Sequence, residues 1–257
     1  MPAVDASLAG VRVLVTRPVA QAGGLADLVT QADGEPVLFP TLEIAPLRPS
    51  AAQIEQAAWC ETLIFVSANA VTHGYPVVKG LAGIGKRIMA IGNGTRQALE
   101  AMGCRHVYSP GENSSSEELA KAPVLRDIGD QRICIVRGRG GRETLKEILA
   151  SRGARVSYLE CYRRCLPSQW DVRTLERAMD NDRGTLLVSV TSTTGLANLL
   201  KMVPDKYRQS LLSRPLVVLG RRQAAAARQS GWLGPILESR AGDEQILDAI
   251  LEWRSQG

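Results

Sequence analysis

The sequence states one pattern twice. "VRVLVTRPVA" (Val11 to Ala20) is an apolar stretch that breaks into Arg17, and "RICIVRGRGG" (Arg132 to Gly141) breaks into Arg137, 120 residues later. Leu25, Leu28 and Val29 follow the first at helical spacing; Leu145, Ile148 and Leu149 follow the second, again 120 residues on. Gly34 and Gly153 stand where each helix should be capped. The next segments match in the same order. "EPVLFPTLEIAPL" (Glu35 to Leu47) corresponds to "ARVSYLECYRRCL" (Ala154 to Leu166), "LIFVSANAV" (Leu63 to Val71) to "VSVTSTTGL" (Val188 to Leu196), and "IMAIGNGTRQALEAMG" (Ile88 to Gly103) to "LVVLGRRQAAAARQSG" (Leu216 to Gly231). "SSSEELAKAPV" (Ser114 to Val124) closes one copy and "AGDEQILDAIL" (Ala241 to Leu251) the other, each read as an N-capped amphipathic helix with Glu117 or Asp243 in its early turn. The period is too long for a solenoid. Strand and helix alternate within each copy, which implies a parallel sheet flanked by helices. The expected fold is α/β, with two similar doubly wound parallel-sheet domains and a ligand cleft between them at the carboxyl ends of the strands.

Composition narrows the function. The 257 residues are 45% apolar and 22% charged, as in a globular protein of two ordinary domains. No apolar run approaches the ~20 residues of a membrane span. The opening "MPAVDASLAG" lacks a basic head before an apolar core, so no signal peptide is expected. Five scattered cysteines (Cys60, Cys104, Cys134, Cys161, Cys165) suit a reduced, cytoplasmic protein. "CYRRC" is not a metal-ligand spacing, and His73 and His106 stand apart from any cysteine or carboxylate cluster, so neither a metal site nor a Ser-His-Asp triad is expected. The net charge of +5 favours an anionic partner. Four Trp, five Tyr and two Phe are not interleaved with basic clusters as a base-stacking surface requires, which argues against nucleic acid.

Four kinds of strand end can carry chemistry. "TRP" holds Thr16 and Arg17; "RGRGGR" holds Arg137 and Arg139 and opens a helix whose free N–H groups suit an anion. Neither this loop nor "IGNGT" is a dinucleotide fingerprint, because Glu143 and Gln97 stand where the third glycine belongs, and G-K-[ST] is missing. "SAN" (Ser67, Asn69) and "TSTT" (Ser192, Thr193) place hydroxyls at helix starts, where they ordinarily serve as N-caps and can also face a carboxylate. "IGNGT" (Gly92, Thr95) and "LGRRQ" (Gly220, Arg222) are turns in which glycine lets backbone approach a ligand. "ECYRR" puts Tyr162 among polar neighbours on a strand, a position more often structural than catalytic. No nucleophile–base pair and no clustered carboxylates appear. The donors suit a site that grips a polyanion and shapes its reaction.

Together, "VLVTRP", "VSANAV", "AIGNGTRQAL", "RGRGGRETLKEILASRGARV", "LECYRR" and the final "VVLG" unit resemble the uroporphyrinogen-III synthase family of tetrapyrrole biosynthesis, in the family's order and over nearly the whole chain. The resemblance implies an interleaved division: 1–34 with 167–257 as one domain, 49–153 as the other, and 35–48 and 154–166 as paired connecting strands that act as a hinge. It implies a monomer without cofactor that converts hydroxymethylbilane, a linear tetrapyrrole with eight carboxylates, to uroporphyrinogen III. Water is lost, the ring closes, and ring D is inverted through a spiro intermediate. Tyr162 matches the family's tyrosine and would donate a proton to the departing hydroxyl. Thr16, Arg17, Ser67, Asn69, Gly92, Thr95, Arg137, Arg139, Ser192, Thr193, Gly220 and Arg222 would bind the substrate. One departure stands out: the second glycine turn reads "GRRQ", with Gln223 where the family has a threonine, so Arg221 or Arg222 is expected to bind a carboxylate there. On the residues alone, two other readings stay open. One is a non-catalytic cytosolic two-lobed protein that closes on a small polyanion. The other is a nucleotide-sugar transferase, which would call for stronger phosphate-loop and acidic signals.

Overall fold

The apolar runs of the repeat are the central strands of two parallel sheets in the computed structural model, which describes residues 7–81, 85–111, 115–179 and 184–256. Met1 to Ala6, at the start of the expected first domain, Ser114, the first residue of an expected helix, and Gly257 lie outside the described residues. In chain order come β1 (Val11–Val15), α1 (Val19–Gln31), β2 (Glu35–Leu38), β3 (Glu43–Pro46), α2 (Ala51–Trp59), β4 (Thr62–Phe65), α3 (Ala68–Val78), β5 (Arg87–Ala90), α4 (Asn93–Ala101), β6 (Val107–Tyr108) and α5 (Ser116–Ala120). After them come β7 (Arg132–Gly138), α6 (Thr144–Ser151), β8 (Arg155–Cys165), α7 (Val172–Met179), β9 (Thr185–Val190), α8 (Thr193–Met202), α9 (Asp205–Leu212), β10 (Leu216–Leu219), α10 (Arg221–Gln229), β11 (Ile236–Ser239) and α11 (Asp243–Ser255). The chain divides into one unit made of Met1–Glu43 and Cys165–Gly257 and a second unit, Ile44–Arg164.

The first sheet has the order β11-β10-β9-β1-β2 and the second β6-β5-β4-β7-β8-β3. Strand for strand, β1 takes the place of β7, β9 of β4, and β10 of β5, so the sequence repeat is a repeat of topology. The doubly wound α/β architecture expected from the alternation is the one observed. The register follows from burial on both faces. In the first sheet Leu14, Val188 and Val218 point into one apolar layer, and Val13, Val15, Leu187 and Val217 into the other. In the second, Leu63, Phe65 and Val136 face one layer and Ile64, Met89, Ile133 and Ile135 the opposite one. Such continuous apolar strands fit only a sheet covered by helices on both sides.

The segment 35–48 holds two strands rather than one. β2 pairs along β1 in the first sheet, whereas β3 lies beside β8 at the edge of the second, with Leu47 N–H donating to the Cys161 carbonyl at 2.9 Å. β8 is bonded to β7 from Arg132↔Arg155 onward. The physical reason is that β1, buried on both faces, needs a hydrogen-bonded neighbour at its second edge, which β2 supplies, while β3 supplies one for the outer edge of β8. After α1 the left-handed position is taken by Asp33 (φ 62°) rather than by Gly34; an Asp tolerates that region. Ser115 caps α5, while α11 starts from Gly242 without a side-chain cap. All five cysteines are free thiols. Among the described residues no helix is long and apolar enough to cross a membrane.

Phe65 is fully buried in the second unit, edge-on to Tyr75 with ring centroids 6.1 Å apart. Phe65→Ala should therefore lower stability by about 3–5 kcal/mol, through lost burial and the cavity left behind. Urea unfolding would check this, and a loss below ~1 kcal/mol would contradict the packing described.

Candidate functional site

The second unit gathers polar groups where β4, β7 and β8 end. A cavity of about 300 Å³ opens there, lined among others by Ser67, Arg137, Arg139, Tyr158, Tyr162 and Arg164. The Gly-rich loop shapes it by close approach. A Cβ on Gly138 would lie 2.5 Å from the Tyr162 ring, and one on Gly141 would lie 2.7 Å from a terminal nitrogen of Arg137. These two glycines therefore make room for the two side chains on which the site is built.

Tyr162 reaches its position through an irregularity in pairing. Arg137 pairs with Glu160 but Gly138 pairs with Tyr162, so β8 carries an extra residue at Cys161. Strict alternation would put Tyr162 on the face of Tyr158 and Glu160. After the bulge it packs instead with Leu159 and Cys161. The residue is 2% exposed, and its hydroxyl lies 3.1 Å from Ser67 Oγ. Ser67 is the N-cap of α3 and accepts from the Ala70 N–H at 3.0 Å. Its hydroxyl can thus donate to the Tyr162 oxygen, or accept from it through a remaining lone pair. The Arg164 guanidinium stands 5.9 Å from the Tyr162 ring centroid.

Arg137 is the buried cation of the site, its side chain 4% exposed. Nε donates to the Gly138 carbonyl at 3.1 Å; Nη1 donates to the Arg142 carbonyl at 3.3 Å and to Glu143 Oε1 at 2.9 Å. The Tyr158 ring covers its face at 4.3 Å, and the Tyr158 hydroxyl donates to Glu143 Oε2 at 2.6 Å. The Tyr158 bond, and then that from Arg137, holds the Glu143 carboxyl below the usual carboxylate range. Burial and the Glu143 bond push Tyr158 up to about 12. At neutral pH Tyr158 therefore keeps its proton and Glu143 its charge. Because the Glu143 pKa is lowered on folding, its contribution is present above the ordinary ~4.3 of a glutamate and fades as pH falls through the lowered value. Arg139, mostly exposed, leans on Glu160 at 3.3 Å.

The remaining expected residues of this unit lie at neighbouring strand ends outside the cavity lining. Asn69 is in the first turn of α3, Gly92 is the N-cap of α4, and Thr95 is buried within that helix. In the first unit the corresponding residues stand after β1, β9 and β10. Thr16 donates its hydroxyl to the Ser189 carbonyl at 2.7 Å, and Arg17 is paired with Asp243. Ser192 caps α8 by accepting from the Gly195 N–H at 2.9 Å, with Thr193 next in the helix. Gly220 precedes α10, and Arg221 and Arg222 are exposed at its start. Gln223, the departure in this turn, is buried. Its Oε1 accepts from the Leu219 N–H at 2.8 Å, and its Nε2 donates to the Thr191 carbonyl at 3.0 Å.

Sequence reading missed Tyr158, Glu143, Arg142 and Arg164. Tyr158 and Arg164 were visible as polar or aromatic residues on the same strand as Tyr162. Glu143 registered only as the residue that breaks a glycine fingerprint.

Comparison with known proteins places this arrangement in context. A family model described as uroporphyrinogen-III synthase HemD matches residues 24–247. The uroporphyrinogen-III synthase of Escherichia coli K12 is 31% identical over 246 residues, covering 93% of this chain and 99% of that protein. That of Salmonella typhimurium LT2 is 37% identical over 169 residues, 65% of this chain and 68% of that protein. Among solved structures, a mutant uroporphyrinogen III synthase from the extremely thermophilic bacterium Thermus thermophilus superposes with a TM-score of 0.60 at 20% identity, over 96% of this chain and 100% of that one. The Helicobacter pylori 26695 enzyme gives 0.59 at 16% identity, over 95% and 99%. At these identities the structural likeness speaks for the fold.

The Gln223 bridge ties the end of β10 to the end of β9. Gln223→Ala should cost about 1–3 kcal/mol, because it takes the partners from a part-buried backbone donor and acceptor. Denaturant unfolding of the variant measures this; an unchanged midpoint would mean the bridge contributes nothing to stability.

Proposed function

The chain belongs to the uroporphyrinogen-III synthase family, and we propose that it performs the family's ring closure mainly by fixing a polycarboxylate around a hydroxyl donor, Tyr162. The observation that carries this reading is the juxtaposition, in one cavity, of a buried tyrosine hydroxyl and a set of arginines with Arg137 deepest. The substrate is hydroxymethylbilane and the product uroporphyrinogen III. Hydroxide is a poor leaving group, but an electron-rich pyrrole expels it readily once a proton is supplied. Tyr162 is assigned that donation; the proton that the attacking pyrrole loses on closure restores the phenol, and Ser67, 3.1 Å away, can relay it. The carbon–oxygen bond breaks, the proton leaves with water, and the resulting cation is attacked by the far pyrrole. The choice of carbon attacked decides the isomer, so most of the work is orientation and preorganised charge.

Arg137 and Arg139 are assigned to substrate carboxylates in the second unit, where charge-assisted hydrogen bonds orient as well as bind. Ser67, Asn69, Gly92 and Thr95 are assigned to the same strand ends. In the first unit the assignment covers Thr16, Arg17, Ser192, Thr193, Gly220 and Arg222. Thr16 and Arg17 enter it with their side chains already engaged, by Ser189 and Asp243. Arg222 is exposed at the N-terminus of α10, where a cation opposes the helix dipole and an anion is welcome. The reading includes no cofactor, a cytoplasmic location in keeping with the free thiols, and a monomer without nucleic-acid or membrane partner.

The activity is tested by giving the purified protein hydroxymethylbilane, oxidising the product and separating porphyrin isomers. Type III is expected; type I alone, as from spontaneous closure, would leave a non-catalytic polyanion-binding protein. Tyr162→Phe should lower kcat by about tenfold to a hundredfold with KM little changed, since a proton donor acts in the transition state. Full isomer III production at wild-type rate would make Tyr162 structural. Arg222→Ala should raise KM by about ten- to a hundredfold at nearly constant kcat, because carboxylate binding is shared by ground and transition states. Wild-type KM in a variant lacking both Arg221 and Arg222 would remove that assignment.

A further inference from the structure

We propose that Glu143 and Tyr158 are positioning residues for this reaction: they hold the Arg137 guanidinium so that its second terminal nitrogen, Nη2, is presented to a substrate carboxylate. The inference rests on the reading of Arg137 as a carboxylate site and adds what makes that site work.

Three oxygens take Nε and Nη1: the Gly138 carbonyl, the Arg142 carbonyl and Glu143 Oε1. Nη2 takes none of these three, and it lies over Gly141, where no side chain stands in the way. The flat face of the guanidinium is covered by the Tyr158 ring at 4.3 Å. The plane of the group is therefore fixed by a ring on its face and by acceptors at two of its three nitrogens. Arg137 and Tyr158 both line the cavity, whereas Glu143 is not part of that lining. Glu143 thus binds Arg137 without itself lining the cavity. Tyr158 secures Glu143 in turn through its 2.6 Å bond, and this bond persists at working pH because Tyr158 is pushed up to about 12 while Glu143 is held low. A buried guanidinium without such partners would be costly and free to turn. With them, little rotational freedom remains to be lost when a carboxylate binds.

The sign of one substitution separates positioning from simple charge. Removing a negative charge beside a site for a polycarboxylate should by itself tighten binding. Positioning predicts the reverse. Glu143→Ala should raise KM for hydroxymethylbilane about tenfold with kcat within about twofold, since the orienting contact is shared by ground and transition states. The dissociation constant of uroporphyrin III, followed by fluorescence on the full chain, should rise in step. Glu143→Gln keeps an oxygen to accept from Arg137 and offers an amide N–H to the Tyr158 hydroxyl oxygen in place of the second acceptor, and should bring KM back to about the wild-type value or below. Tyr158→Phe keeps the ring over Arg137 and loses only the bond to Glu143; an intermediate rise of about threefold is expected. This variant, conservative in volume, also serves if Glu143→Ala fails to fold. An unchanged or lowered KM in Glu143→Ala, or a Glu143→Gln variant as impaired as the alanine, overturns the proposal. If Arg137→Ala raises KM while Glu143→Ala and Tyr158→Phe do not, the positioning role alone falls. If Arg137→Ala itself keeps wild-type KM, the carboxylate site is misassigned and both readings fall together.

Discussion

A guanidinium buried at the end of a parallel strand must be both neutralised and hydrogen-bonded, and at Arg137 that requirement organises the surrounding chain. Burial of an unpaired charge would cost several kcal/mol, so the neighbouring residues are constrained to supply partners. Two backbone carbonyls and Glu143 do so at Nε and Nη1, and Tyr158 does so from one face. Gly141 has no side chain because the guanidinium lies where it would be. Gly138, one residue after Arg137, does the same for the Tyr162 ring. The Gly-rich loop that looks like a generic anion-binding turn is therefore shaped first by two side chains of its own protein.

The repeat shows the same requirement met in another way. Arg17 occupies in the first unit the place of Arg137 in the second. Where the second unit has Glu143, the first has Gly23, followed by Gly24, and the acid comes instead from Asp243 at the start of α11. A Cβ on Gly24 would collide with the Asp243 carboxylate, so the small residue there is tied to the pairing. Both arginines are neutralised, one by a residue six positions on and the other by one from the far end of the chain. The duplicated strands thus keep the arginine and diverge in the acid that pairs it.

The sheets were legible because their residues obey rules that act locally. Runs such as Val11 to Val15 and Leu216 to Leu219 are apolar on both faces, and only a doubly covered parallel strand tolerates that. The segment 35–48 was less legible. It contains a strand of each sheet, and nothing in its composition marks the point at which it leaves one for the other. Within the site, Ser67, Arg137, Arg139 and Tyr162 could be picked from strand-end position and motif, and they line one cavity. Tyr158 and Glu143 could not, for their meaning lies in a pairing across a loop. The bulge at Cys161 likewise has no sequence signature, yet it decides which face of β8 Tyr162 occupies. Gln223 is the reverse case. It reads as a lost hydroxyl, and it is a buried bridge between two strand ends.

The central claim is that a substrate carboxylate is seated on Arg137 beside the Tyr162 hydroxyl. A crystal structure of the protein with uroporphyrin III bound tests it most directly. The account predicts a propionate or acetate carboxylate on Arg137 Nη2, with Glu143 and Tyr158 still holding the guanidinium and the macrocycle edge within reach of Tyr162. A tetrapyrrole bound with every carboxylate away from Arg137, and with the cavity at the ends of β7 and β8 left empty, would contradict it.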